Sequence, residues 1–130
     1  MDFNLSLASF EPHVRGVRNL VDLAYKGSNE NKTVRILFTS SVGVANNHQT
    51  SHQAAIPEEP ITDWSAAGSG YGESKLVAER ILSEASLHSG IQATICRVGQ
   101  IAGPVLQGHE SGEWNRKEWL PSVSARKPAA

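Results

Sequence analysis

A tyrosine and a lysine stand four residues apart in the string Tyr71-Gly72-Glu73-Ser74-Lys75, thirty residues after the pair Ser40-Ser41 that closes an apolar run. On a helix this spacing puts a phenol and an ammonium on one face, one turn apart. A phenol ionises near pH 10 in water, so it is a sluggish acid or base near neutrality unless a nearby cation stabilises its phenolate. Lys75 supplies that cation, and its ammonium can also hydrogen-bond the ribose hydroxyls of a dinucleotide. Ser41, delivered from a neighbouring strand, would donate to a carbonyl oxygen and share the charge that develops as hydride reaches the carbon. The set reads as half of a reductase site.

The elements that must position these groups follow from periodicity. Val14, Val17, Val21 and Ala24 recur at helical spacing with Leu20 beside them, which predicts a helix from about Pro12 to Lys26, capped by Ser9 and ended by Gly27. The run 34–39, Val-Arg-Ile-Leu-Phe-Thr, is short, β-branched and aromatic, and reads as a central parallel strand. Residues 46–70 are polar and rich in Pro, Ser and Gly, and predict a long loop of the kind that is often functional. A second helix begins near Tyr71, carries Leu76, Val77, Ile81, Leu82 and Ala85 inward and ends around Gly90. The run 92–98 is a second strand, and the glycines Gly68, Gly70 and Gly72 read as a flexible lead-in to the second helix. This alternation is an α/β pattern with parallel strands, whose carboxyl-end loops build the site. Ser40 and Ser41 end the first strand and Gly99 to Gly103 follow the second, so both face one rim.

Composition narrows the function classes. The chain has 130 residues, 39% apolar and 19% charged, with 12 basic against 13 acidic side chains and a formal charge of −1. That is the size of one domain with no global field, which points away from nucleic acid and acidic membrane surfaces. No apolar run is long enough to span a bilayer and no basic secretory leader is visible, so a soluble, cytoplasmic protein is expected. Cys96 is the single cysteine, so no intrachain disulfide can form, and its apolar surroundings in sequence predict a buried core residue. His48 and His52 are four apart but lie in the polar loop without a further ligand, so no metal site is expected. His13 reads as a surface helix position, and Glu58, Glu59 and Asp63 as a solvated loop patch.

The order of these segments resembles an extended short-chain dehydrogenase/reductase, and more narrowly the terminal reductase domain of fungal nonribosomal-peptide-synthetase-like enzymes, carboxylic acid reductases and aminoadipate reductases. The strings that carry it are residues 2–7 and 9–18, Tyr71-Gly72-Glu73-Ser74-Lys75 with its continuation to Arg80, and 112–115 with 118–121. The resemblance runs from Asp2 to about Ser122, dividing the chain into a partial NAD(P)-binding reductase domain, 1–122, and a short polar tail, 123–130. It implies Ser41 as the carbonyl-binding hydroxyl, Tyr71 as the acid and Lys75 as the ribose partner. Ser40, Lys75, Arg97, Val98, Gly99, Gln100 and Ile101 fall on the cofactor side, and Trp114 and Trp119 near the acyl or pantetheine channel, although the two tryptophans, five apart, read equally well as anchors of a terminal helix on the core. The cofactor it implies is NADPH. The implied partner is an acyl chain on the phosphopantetheine of a carrier domain, or a small acyl substrate, released as aldehyde or alcohol.

The glycine-rich strand-turn-helix that opens such domains and cradles the pyrophosphate is missing from this sequence. The expected fold is therefore a partial Rossmann-like, doubly wound parallel sheet lacking its N-terminal glycine-rich βαβ unit, with both ends falling short of a full domain. A sheet of that kind exposes an apolar edge, open to a partner chain or a second copy. Three functions remain: an NADPH-dependent reductase of carrier-bound or free acyl groups; a truncated remnant or assembly module without turnover; and the same fold acting on a nucleotide sugar as epimerase or dehydratase.

Overall fold

The computed structural model describes residues 5–29, 32–48 and 55–101. Those up to Gly99 form one unit, while Gln100 and Ile101 belong to a second, 100–130. In the first unit two helices, α1 (Glu11–Gly27) and α2 (Gly70–Ser89), accompany two strands, β1 (Arg35–Ser41) and β2 (Gln92–Val98). The strands pair in parallel, Arg35 opposite Gln92 through Ser41 opposite Val98, so their carboxyl ends are flush. This is a partial Rossmann-like α/β arrangement.

Both helices cover the same face of the pair. Val21 and Ala24 of α1 and Leu82 of α2 pack with Ile91, against the sheet residues Ile36, Phe38, Ala93 and Ile95. The strands alternate in exposure as a pleat dictates. Leu37, 70% exposed, and Cys96 stand on the opposite face, which no described element covers. The expected buried cysteine is thus corrected. Cys96 sits opposite Thr39 on the bare side, because an apolar run in sequence does not say which of its faces is packed. The apolar stripe of α1 is narrower than its sequence suggests too, since Leu20 is 54% exposed.

Helix ends follow local chemistry. A 3-10 turn, Leu7–Phe10, leads straight into α1, so Phe10 and not Ser9 occupies the cap position, with Pro12 in the first turn. Ser28 closes α1 by donating from its hydroxyl to Ala24 O at 2.8 Å, and accepts from Val34 N at 3.0 Å, which turns the chain into β1. At α2, Ser69 Oγ accepts from Gly72 N, and Gly90 ends the helix in the left-handed region at φ 68°.

The long connection to α2 is tied down. Ile61, Ala66 and Ala67 are buried with Val44, Ala45 and Leu76 in a second apolar cluster beneath the carboxyl rim of the sheet. Asn47 N donates to Ala66 O at 2.7 Å, and Asp63 caps a 3-10 turn, Trp64–Ala66, by accepting from Ser65. The Ser65 hydroxyl and amide hold the Asp63 carboxyl below the usual carboxylate range. This cluster fixes where α2 begins.

Candidate functional site

Ser41 is the last residue of β1 and the cap of a 3-10 turn, Val42–Ala45. Its Oγ accepts from Gly43 N at 3.1 Å. A hydroxyl carries one donor and two acceptor positions, so this contact leaves its O–H able to donate. Gly43 stands between the two reacting candidates: a Cβ at that position would lie 3.4 Å from Ser41 Oγ and 3.9 Å from Tyr71 Cδ1.

The approach of α2 to this turn depends on glycine. A Cβ on Gly72 would collide with the carbonyl oxygen of Gly43, and one on Gly70 with the backbone at Leu5 to Leu7. The cluster expected to be a flexible lead-in is therefore a close-packed helix start. Gly70 and Gly72 sit in the first turn of α2, where backbone passes backbone with no room for a side chain, while Gly68 precedes the helix at φ 28° beside the Asn47 side chain. On the other side, Phe10 meets the Tyr71 ring edge-on, with centroids 6.1 Å apart and planes at 66°.

Lys75 follows one turn later. Its Nζ donates to Thr39 O at 2.8 Å, lies 4.9 Å from the centroid of Phe38 and 5.9 Å from that of Tyr71. Partial burial pushes the ammonium below the ordinary lysine range. An ammonium has three N–H donors, so the carbonyl of Thr39 leaves others available.

The fold thus gathers Ser41, Tyr71 and Lys75 at the carboxyl end of β1. Ser40 points the other way: it is 3% exposed and donates to Glu79 Oε1 at 2.6 Å. Arg97 joins the same carboxylate, with Nη2 2.7 Å from Oε2, so both hydroxyl and guanidinium are engaged inside the fold. Val98 lies opposite Ser41, and Gly99 borders Val42, where a Cβ would stand 3.9 Å from Val42 Cγ1. In the second unit, Gln100 Nε2 donates to the carbonyl of Ile101 at 3.4 Å. Trp114 and Trp119 lie outside the described residues, as does His52.

Sequence reasoning passed over Glu79, a buried acid in a helix where exposed glutamates are common. The available signal was Arg97, a charge inside the apolar run of β2 that calls for a buried partner.

A groove of 630 Å³ lined by Val21, Tyr25, Trp64 and Ile81 runs between α1 and α2, and a pocket of 560 Å³ lined by Glu58, Glu79, Cys96 and Arg97 opens beside β2. Neither of these two is lined by Tyr71 or Lys75. The three side chains at the rim mark the better candidate. No group of three or more metal-ligating side chains occurs among the described residues, and no described helix is long and apolar enough to cross a membrane.

Residues 2–125 match the family described as male sterility protein, an NAD-binding domain family. The chain belongs to this family. It is 45% identical over 125 residues to the carboxylic acid reductase of Neurospora crassa, covering 96% of this chain and 11% of that protein. It is 42% identical over 123 residues to adenylate-forming reductase Nps10 of Heterobasidion annosum, covering 95% of this chain and 11% of that protein. With the non-reducing polyketide synthase pkdA of Emericella nidulans the identity is 36% over 127 residues, 92% of this chain and 5% of that one. The chain therefore spans about a tenth or less of the length of these relatives. Its family is one that binds a nicotinamide cofactor.

The rim suits the nicotinamide and ribose half of such a cofactor, because Lys75 keeps N–H donors for ribose hydroxyls and Gly43 and Gly99 keep side chains away from the strand ends. For the pyrophosphate, no glycine-rich turn runs directly from a strand into an α-helix among the described residues.

Proposed function

We propose that this chain carries the proton-delivery half of an NADPH-dependent reductase acting on an acyl thioester held by a phosphopantetheine carrier, or on a related carboxylic acid derivative. The observation that carries the reading is the convergence of Ser41 and Tyr71 on Gly43, with Lys75 one turn below against Thr39 O. A bound reduced nicotinamide supplies hydride to the thioester carbon. Ser41 donates its O–H to the carbonyl oxygen, and Tyr71 gives its phenolic proton to that oxygen as negative charge gathers there. The resulting hemithioacetal breaks its carbon–sulfur bond, releasing the thiol and an aldehyde. Lys75, anchored by Thr39, holds the ribose so that the reacting face stays in register. Names of the relatives support a carboxylic acid or a derivative of one as substrate, since they include a carboxylic acid reductase and an adenylate-forming reductase.

The chain incubated with NADPH and an acyl-pantetheine thioester is expected to release free thiol and aldehyde in step with loss of reduced-nicotinamide absorbance. Absence of thiol release would contradict the reading.

A second reading, an assembly module without turnover, is favoured by the sheet face bearing the exposed Leu37 and Cys96, which no described element covers. Calorimetry separates the two. NADPH binding to the purified chain speaks for the reductase, and its failure together with partner-dependent solubility speaks for the module.

A further inference from the structure

Behind the rim, one carboxylate ties three segments together. Glu79 is 2% exposed and accepts from Ser40 Oγ on β1 at 2.6 Å and from Arg97 on β2, with Nε at 3.1 Å and Nη2 at 2.7 Å. The same guanidinium reaches the connection to α2, donating to the carbonyls of Glu59 at 2.9 Å and Pro57 at 3.4 Å. Ser40 and Arg97 are opposite one another in the strand register, each one residue before the rim. Side chains alternate along a strand, so fastening Ser40 on the helix side turns Ser41 to the other side. Glu79 also lies four residues after Lys75 and eight after Tyr71, placing the three on one stripe of α2. The stripe thus carries the candidate acid, its ammonium partner and the anchor of the strand that presents the candidate oxyanion donor.

We propose that Glu79 is a positioning residue for the reduction: through Ser40 and Arg97 it sets Ser41 and the end of β2 at Val98–Gly99 in place relative to Tyr71. The proposal rests on the reductase reading above. Removing one partner of a buried, hydrogen-bonded charge leaves the other uncompensated, so the effect should concentrate at the strand ends and the Pro57–Glu59 stretch.

Two measurements on the intact chain test it. In Glu79→Gln, amide hydrogen exchange should rise by about tenfold or more at Ser41, Gly43 and Glu59, while the middle of α1 keeps its protection. Unchanged exchange at Ser41 and Gly43, or a rise throughout the chain, would overturn the proposal. In turnover, kcat should fall by about tenfold or more with KM for thioester and NADPH within about twofold, and Glu79→Asp should recover part of it. An unchanged kcat, or a loss that only follows the fall in melting temperature, would also overturn it. If the unmutated chain shows no turnover, the reductase reading fails on its own and the exchange measurement still decides whether Glu79 holds Ser41. Should Glu79→Gln not fold, Ser40→Ala keeps the Glu79–Arg97 pair, and faster exchange confined to 40–43 is the expected result; its absence counts against the proposal.

Discussion

Lys75 is held in a place that an ammonium does not favour by solvation. Burial lowers its proton affinity, and the Thr39 carbonyl with the faces of Phe38 and Tyr71 offsets part of the cost. The sign of the consequence follows from linkage. The folded state releases this proton at lower pH than the unfolded chain, so between the depressed folded value and the ordinary lysine range, about 10, the unfolded state binds more protons and stability rises with pH. Compared with Lys75→Met in denaturant titrations, the unmutated chain should gain stability as pH is raised from 7 towards that range. A difference that stays flat or shrinks would show that Lys75 is not desolvated. The residue types at the rim could be read from sequence because Tyr71 and Lys75 share a helix face and Ser41 closes an apolar strand. Glu79 is harder to read: Arg97 calls for a buried partner, yet a glutamate on a helix looks the same whether it meets water or a guanidinium.

At the level of elements, the start of α2 is set by backbone contact. Gly72→Ala should cost about 1–3 kcal/mol, because its Cβ must displace the carbonyl of Gly43 and no flexible side chain can yield instead. Ser69→Ala should cost about 1 kcal/mol through the lost cap. Thermal or chemical melts of the two variants check both, and Gly72→Ala should in addition slow any turnover by moving Tyr71. Periodicity is enough to place α1, β1, α2 and β2 in order, and β2 at 92–98 to the residue, because each alternates or repeats over several positions. The glycines of α2 resist the same reasoning: a string of Gly and Ser has the composition of a loose linker, and only the approach of Gly43 and Leu5 to Leu7 shows why side chains are absent. The pinned connection is hidden for a similar reason, as Ile61, Ala66 and Ala67 are too few and irregular to form a pattern.

At the scale of the whole molecule, the described sheet is covered on one face by both helices, and no described element covers the other. Which face of an apolar run is packed depends on what lies beside it, so Cys96 and Leu37 look like core in sequence and prove exposed. The Cys96 thiol of the folded chain should accordingly react with a thiol reagent without denaturant, at a rate near that of an exposed cysteine. Protection that disappears only on unfolding would mean that this face is covered in solution. The proposed reduction makes one sharp demand on this rim: whatever holds the cofactor phosphates, Tyr71 must supply the proton. The rate of reduced-nicotinamide oxidation with an acyl-pantetheine thioester, compared between the unmutated chain and Tyr71→Phe, measures this directly. A loss of at least about 100-fold at unchanged NADPH affinity is the predicted result, and equal rates in the two proteins would contradict it.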